Sequence, residues 1–126
     1  MMKSKLLHIA LFMCIFSFAM NAQIYLAGDQ ASSALLSEAS SIRSQITTAM
    51  TNGSFSSDED YIQADPTASA KFILLNALTD LPIKSGDTTT QVEETFTNFI
   101  EAIENSGYSN LEVDELRQNL LSIIAQ

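Results

Sequence analysis

The chain contains one histidine, one cysteine and no tryptophan. His8 and Cys14 both lie in an N-terminal stretch that reads as a removable leader. Without that stretch, the remainder has no imidazole general base and no thiol nucleophile, and it has neither a Cys/His zinc set nor a disulfide. An exported domain without cysteine must be held together by its apolar core. Basic residues are also scarce: 6 against 15 acidic ones, for a net charge of −9. There is no internal repeat, no low-complexity tail and no second domain.

The leader is MMKSKLLHIALFMCIFSFAMNAQ. Lys3 and Lys5 form a positive start, Leu6 to Phe18 is an apolar run broken only by His8 and Ser17, and small residues follow. That order is the pattern of a Sec-type signal peptide, and the run is short for a membrane span of about 20 residues. Two cuts suit it, after Ala19 or after Ala22. The Asn21-Ala22-Gln23 junction resembles those of secreted bacterial precursors, so residues 1–22 are expected to be the signal and 23–126 one domain. Cys14 follows Met13, where a lipoprotein signal wants a small residue. After cleavage four basic residues remain, Arg43, Lys71, Lys84 and Arg117, and the net charge becomes −11. Such a surface repels nucleic acid and anionic lipid and tolerates basic proteins and divalent cations. The expected location is secreted or periplasmic, with no stable membrane insertion after cleavage.

The rest of the chain reads as four helices. Leu35, Ala39, Ile42, Ile46 and Ala49 recur at helical spacing over about Gln30–Thr51, with Asp29 as N-cap and Asn52-Gly53 as stop. Asp65-Pro66 should open a second helix and Pro82 should end it, over Pro66–Leu81. Its centre, Phe72-Ile73-Leu74-Leu75, is apolar all round, which predicts the most enclosed helix of the four. Beside that block, Lys71 is expected to lay its stem on apolar surface and keep its amine in water. A third helix carries Val92, Phe96, Phe99 and Ile103, with Ile100 beside them. Its capping box is Thr90 with Glu93, and its stop is Asn105-Ser106-Gly107. The fourth opens on a box of Ser109 with Glu112 and carries Val113, Leu116, Leu120 and Ile123. Short connections imply antiparallel neighbours, so the expected fold is all-α, an up-and-down four-helix bundle with a small extra helix after the first.

That small helix starts in SSDEDY, Ser56–Tyr61, the one run that looks chemical. Ser56 with Glu59 fits a capping box, and Asp58, Glu59 and Asp60 then fall in the first turn, where free N–H groups favour negative charge. A calcium loop needs alternating ligands, a central glycine and a glutamate at the twelfth place, and the run supplies none of that. A loop centred on Gly107 fails too, with Ala102 and Val113 at its end positions.

Three kinds of function are open to such a chain. The first is protein–protein interaction or self-association, as a structural component, through the face of helix one opposite its stripe. There Ser33, Ser37, Ser40, Ser44 and Thr51 leave an acid-poor surface flanked by Glu38 and Arg43, and a partner meets least repulsion. The alternative is a binding module for a basic protein or divalent cations through the acidic surface. The third is catalysis. Without histidine or cysteine it would rest on carboxylates and Tyr25, Tyr61 and Tyr108, and Asp87-Thr88-Thr89 lacks the glycine of an aspartic-protease motif. No catalytic, metal or cofactor residue is therefore expected, and no cofactor. The exported form should have an intact mass that starts at Gln23 or, failing that, at Met20. A Met1 form retained in a membrane fraction would contradict the leader.

Overall fold

The computed structural model describes residues 24–126. The expected leader, with His8, Cys14 and both cleavage points, lies outside the described residues. The described chain is all-helical, with five helices. They are α1 (Gly28–Gly53), α2 (Asp58–Ala64), α3 (Ala68–Asp80), α4 (Thr89–Glu104) and α5 (Asn110–Ile124).

In α1 the expected stripe is the core face: Leu35, Ala39, Ile42 and Ile46 are buried, joined by Ala31, while Ala49 is half-buried. The ends differ from expectation. Ala27 is the N-cap and makes no side-chain bond, and Asp29 sits inside the first turn. At the far end the left-handed residue is Ser54, with φ 54° and ψ 37°. The Ser54 N–H donates to the Thr51 carbonyl at 3.2 Å and the Phe55 N–H to that of Met50 at 3.0 Å, the paired bonds of a Schellman stop.

Helix α3 begins later than Pro66. The Asp65 carboxylate accepts from the Thr67 N–H (2.9 Å) and hydroxyl (2.8 Å), which fixes a turn before Ala68. Those bonds, the backbone one first, hold the Asp65 carboxyl below the usual aspartate range. The expected enclosure of α3 is not found. Ala68, Ala77 and Leu78 are buried, but Phe72, Ile73, Leu74 and Leu75 are only half-buried. Fewer neighbours surround the helix than its composition suggests.

The N-cap of α4 is Thr88, two residues before the expected Thr90. Thr88 accepts from the Gln91 N–H (3.2 Å) while Gln91 accepts from the Thr88 N–H (2.9 Å). Val92, Phe96 and Ile100 are buried, and Phe99 and Ile103 half-buried. The Ser109–Glu112 box of α5 is formed as expected, with bonds of 3.2 and 3.0 Å. Gly107 before it takes φ +97°, a conformation a side chain would strain. Its buried line is Val113, Leu116, Leu120 and Ile124, with Ile123 half-buried beside it.

Hydrogen bonds at one end, the base, fix the helix directions. The Gly28 N–H at the start of α1 donates to the Asp87 carbonyl at 2.8 Å, just before α4 begins. At the end of α5, the Ile124 carbonyl accepts from the Leu26 N–H at 2.9 Å, and the Gln126 N–H donates to the Ile24 carbonyl at 2.7 Å. Tyr25 and Ala125 therefore face each other in a short antiparallel pairing that the helical pattern did not suggest. Helices α1 and α4 run away from the base, and α3 and α5 run back to it. The expectation that consecutive helices are neighbours fails at one step. Helices α1 and α5 each pack on both α3 and α4, whereas α3 and α4 do not meet. The chain crosses between them through Leu81–Thr88, where Leu81 and Ile83 are buried on either side of exposed Pro82. The crossing segment itself plugs the base.

Gly28 makes that plug possible. A Cβ there would fall on the Lys84 carbonyl oxygen and within 2.8 Å of the Asp87 nitrogen. Both are backbone atoms and cannot rotate away. Gly28→Ala should cost about 1–3 kcal/mol in urea unfolding, as overpacking against fixed atoms does. Gly86→Ala, where a Cβ meets nothing within 4 Å, serves as the control. Equal stabilities would show that the crossing does not lie against α1.

Candidate functional site

Among the described residues every buried residue is apolar, apart from the hydroxyl of Tyr61. Any site must therefore lie on the surface. The serines singled out by sequence, Ser33, Ser37, Ser40 and Ser44, are all exposed, on one face of α1. Eleven residues separate the first from the last, so they span about 16 Å of helix. No other element joins them. Arg43 is exposed at the edge of this face, and Glu38 is half-buried on the other side.

The sequence reading missed Leu36 in this region. It is 72 % exposed, one turn from both Ser33 and Ser40. It borders a cleft between α1 and the end of α3, whose walls include Leu35, Ala39, Leu78, Leu81 and Ile83. No charged side chain lines that cleft. The signal was available in principle. Leu36 follows Leu35 but lies about 100° round the helix from it, off the core stripe.

The acidic stretch is organised as a helix start, with a different residue at the cap. Ser57, and not Ser56, is the N-cap of α2, and its hydroxyl accepts from the Asp60 N–H at 3.2 Å. The Ser56 hydroxyl donates instead to the Asp60 carboxylate at 2.8 Å. The one-residue shift moves Glu59 out of the box. Asp58, Glu59 and Asp60 occupy the first turn, where the helix dipole favours them. No group of three or more potential metal ligands is gathered among the described residues.

Tyr61, 1 % exposed, anchors this corner. Its ring stacks on Phe55 at 5.5 Å and meets Phe72 edge-on at 6.1 Å. The Lys71 amine donates to the Tyr61 hydroxyl at 3.2 Å. The lysine head is thus tied to a hydroxyl, where the sequence reading left it free in water. At the base, Tyr25 packs near Phe96, with ring centres 6.2 Å apart. Burial first, and then the Glu93 carboxylate, push the Tyr25 phenol above its ordinary pKa. Tyr25 and Glu93 line one open cleft at the base, together with Ile24, Thr89 and Thr90.

No known protein family, curated protein or solved structure matches the chain.

The cap assignment has a direct test. Ser57→Ala should cost about 0.5–2 kcal/mol of stability if α2 unfolds with the whole, and Ser56→Ala distinctly less. Millimolar calcium should leave the melting temperature essentially unmoved. A rise of several degrees, abolished by Asp58→Asn or Asp60→Asn, would instead make the stretch a cation site.

Proposed function

We propose that the chain is a small exported acidic protein that works by protein–protein association, as a self-associating or structural component, and not by catalysis. In this reading the leader delivers it to a secreted or periplasmic location. The four long helices act as one up-and-down bundle, with α2 bracing the end opposite the base.

The observation that carries the reading is the exposed Leu36, beside an uncharged apolar cleft on a serine-bearing face. A leucine left in water on a strongly acidic protein gains from being covered, by about 1.5–3 kcal/mol for a full side chain. The same region is where a second copy, also at −11, approaches at least electrostatic cost. Ser33, Ser37, Ser40 and Ser44 add hydroxyls that can bond across a contact, and they are small enough to let another backbone come close. A two-fold arrangement would let Leu36 of each copy enter the cleft of the other. Among the described residues no gathered set of ligands favours the cation alternative.

Sedimentation across protein concentration tests this reading. The wild type should associate, and Leu36→Ser should weaken association by about tenfold or more, since each 1.4 kcal/mol is a factor of ten. Ser37→Glu with Ser44→Glu should weaken it as well, without loss of helicity, because both residues are exposed. A wild type that stays monomeric, or variants that sediment as the wild type does, would refute the association face.

A further inference from the structure

We propose that the groove between α3 and α5 docks an amphipathic segment of another protein, one that carries lysine or arginine beside an apolar ridge. This surface is separate from the outer face of α1. It involves the part of α3 that the fold fails to enclose.

The floor is Ala70, Ile73, Leu74 and Leu116, and the α5 wall carries Glu112 and Glu115. Leu74 lies one turn before buried Leu78, yet it and Ile73 remain half-buried. The gap is a shallow groove of about 260 Å³, including solvent at its mouth. It has room for little more than one whole water. A small molecule that needs most of its surface enclosed would not be held there. A helix ridge needs only a shallow furrow with an apolar floor.

Charge selects the kind of partner. Glu112 and Glu115 are both exposed, and no basic side chain lines the groove. The cations nearest in the chain are already engaged. Lys71 reaches the Tyr61 hydroxyl, and Arg117 is held between Glu104 and Asp114, at 2.6 Å from each. Neither Glu112 nor Glu115 forms an ion pair among the described residues. A second copy cannot compensate this acidic wall well. Its described residues hold only Arg43, Lys71, Lys84 and Arg117, spread over separate elements, and its net charge repels. A basic amphipathic segment satisfies floor and wall together.

The full chain can be titrated with a labelled synthetic peptide of about 18 residues, leucines on one helical face and lysines flanking them. The same peptide with glutamate for lysine is the control. The lysine peptide should bind, and its affinity should fall by about tenfold or more between low salt and roughly 0.5 M salt. Ala70→Phe, which fills the groove from an exposed position, should weaken binding by about tenfold. Glu115→Lys should do the same by reversing the wall charge, and it stands alone if Ala70→Phe fails to fold. Ser37→Glu with Ser44→Glu should leave peptide binding unchanged, whether or not α1 mediates self-association. Equal binding of the glutamate peptide, no binding of the lysine peptide at low salt, or indifference to Glu115→Lys would each overturn the proposal. Self-association abolished by Ala70→Phe would also overturn it, by giving the groove to a second copy.

Discussion

The architecture depends on the close approach of two backbones at the base. The first turn of α1 lies against the segment that carries the chain from α3 to α4, and Gly28 has no side chain to keep them apart. The Gly28–Asp87 hydrogen bond holds the contact. Because α3 and α4 do not pack on each other, their connection must cross the molecule. A crossing segment brings backbone polar groups with it, and these need partners. Asp87 provides several. Its carbonyl takes the Gly28 N–H, its carboxylate takes the Lys84 N–H at 2.9 Å, and its own N–H donates to the Lys84 carbonyl at 3.0 Å. The crossing therefore closes on itself and on α1 while Leu81 and Ile83 fill the space beneath. The pairing of Ile24–Leu26 with Ile124–Gln126 closes the same end from the other side.

Much of this was legible in the sequence where the signal is local. The periodicity of Leu35 to Ile46 and of Val113 to Leu120 marks core faces because a helix repeats every 3.6 residues, whatever surrounds it. The Ser109–Glu112 box is likewise local, since both partners lie within four residues. The errors arise where several local solutions compete. Ser56 and Ser57 both precede acidic residues, and either could cap. Thr88, Thr89 and Thr90 are three successive candidates for one role. The choice falls to the residue whose backbone is extended at the right place, which the rest of the chain decides. The order of helices around the core was not legible at all. Stripe widths do not say which helix faces which, and the diagonal step from α3 to α4 follows from the crossing at Gly28. The terminal pairing joins residues a hundred positions apart in too short a stretch to leave a periodic signature. As for the candidate face, the serines were found by their spacing, but Leu36 was not. Its place off the stripe was visible in α1, but the cleft beside it depends on where α3 ends.

The enclosure expected for α3 failed for a reason that bears on function. An all-apolar centre says what a helix can bury and leaves open what is present to bury it. Four residues from Phe72 to Leu75 point in four directions, and α1, α2 and α5 supply cover for only part of that circle. A chain with no disulfide among its described residues depends on its core for stability. Leaving apolar surface on its central helix forgoes some of that stability, and natural proteins rarely expose such surface over a contiguous area without a use for it.

The two uncovered apolar regions differ in charge, and the difference separates what each can accept. The cleft by Leu36 has no charged lining, so it suits a partner of the same sign, including another copy. The groove by Leu74 has Glu112 and Glu115 on one wall, so it penalises a copy and rewards a cation. Glu112 is also committed to the helix start, where its carboxylate accepts the Ser109 N–H. A residue there without a side-chain acceptor would loosen the start of α5. Glu115 has no such structural duty among the described hydrogen bonds. Stability accounts for the acid at Glu112 and leaves the acid at Glu115 open to selection by what binds.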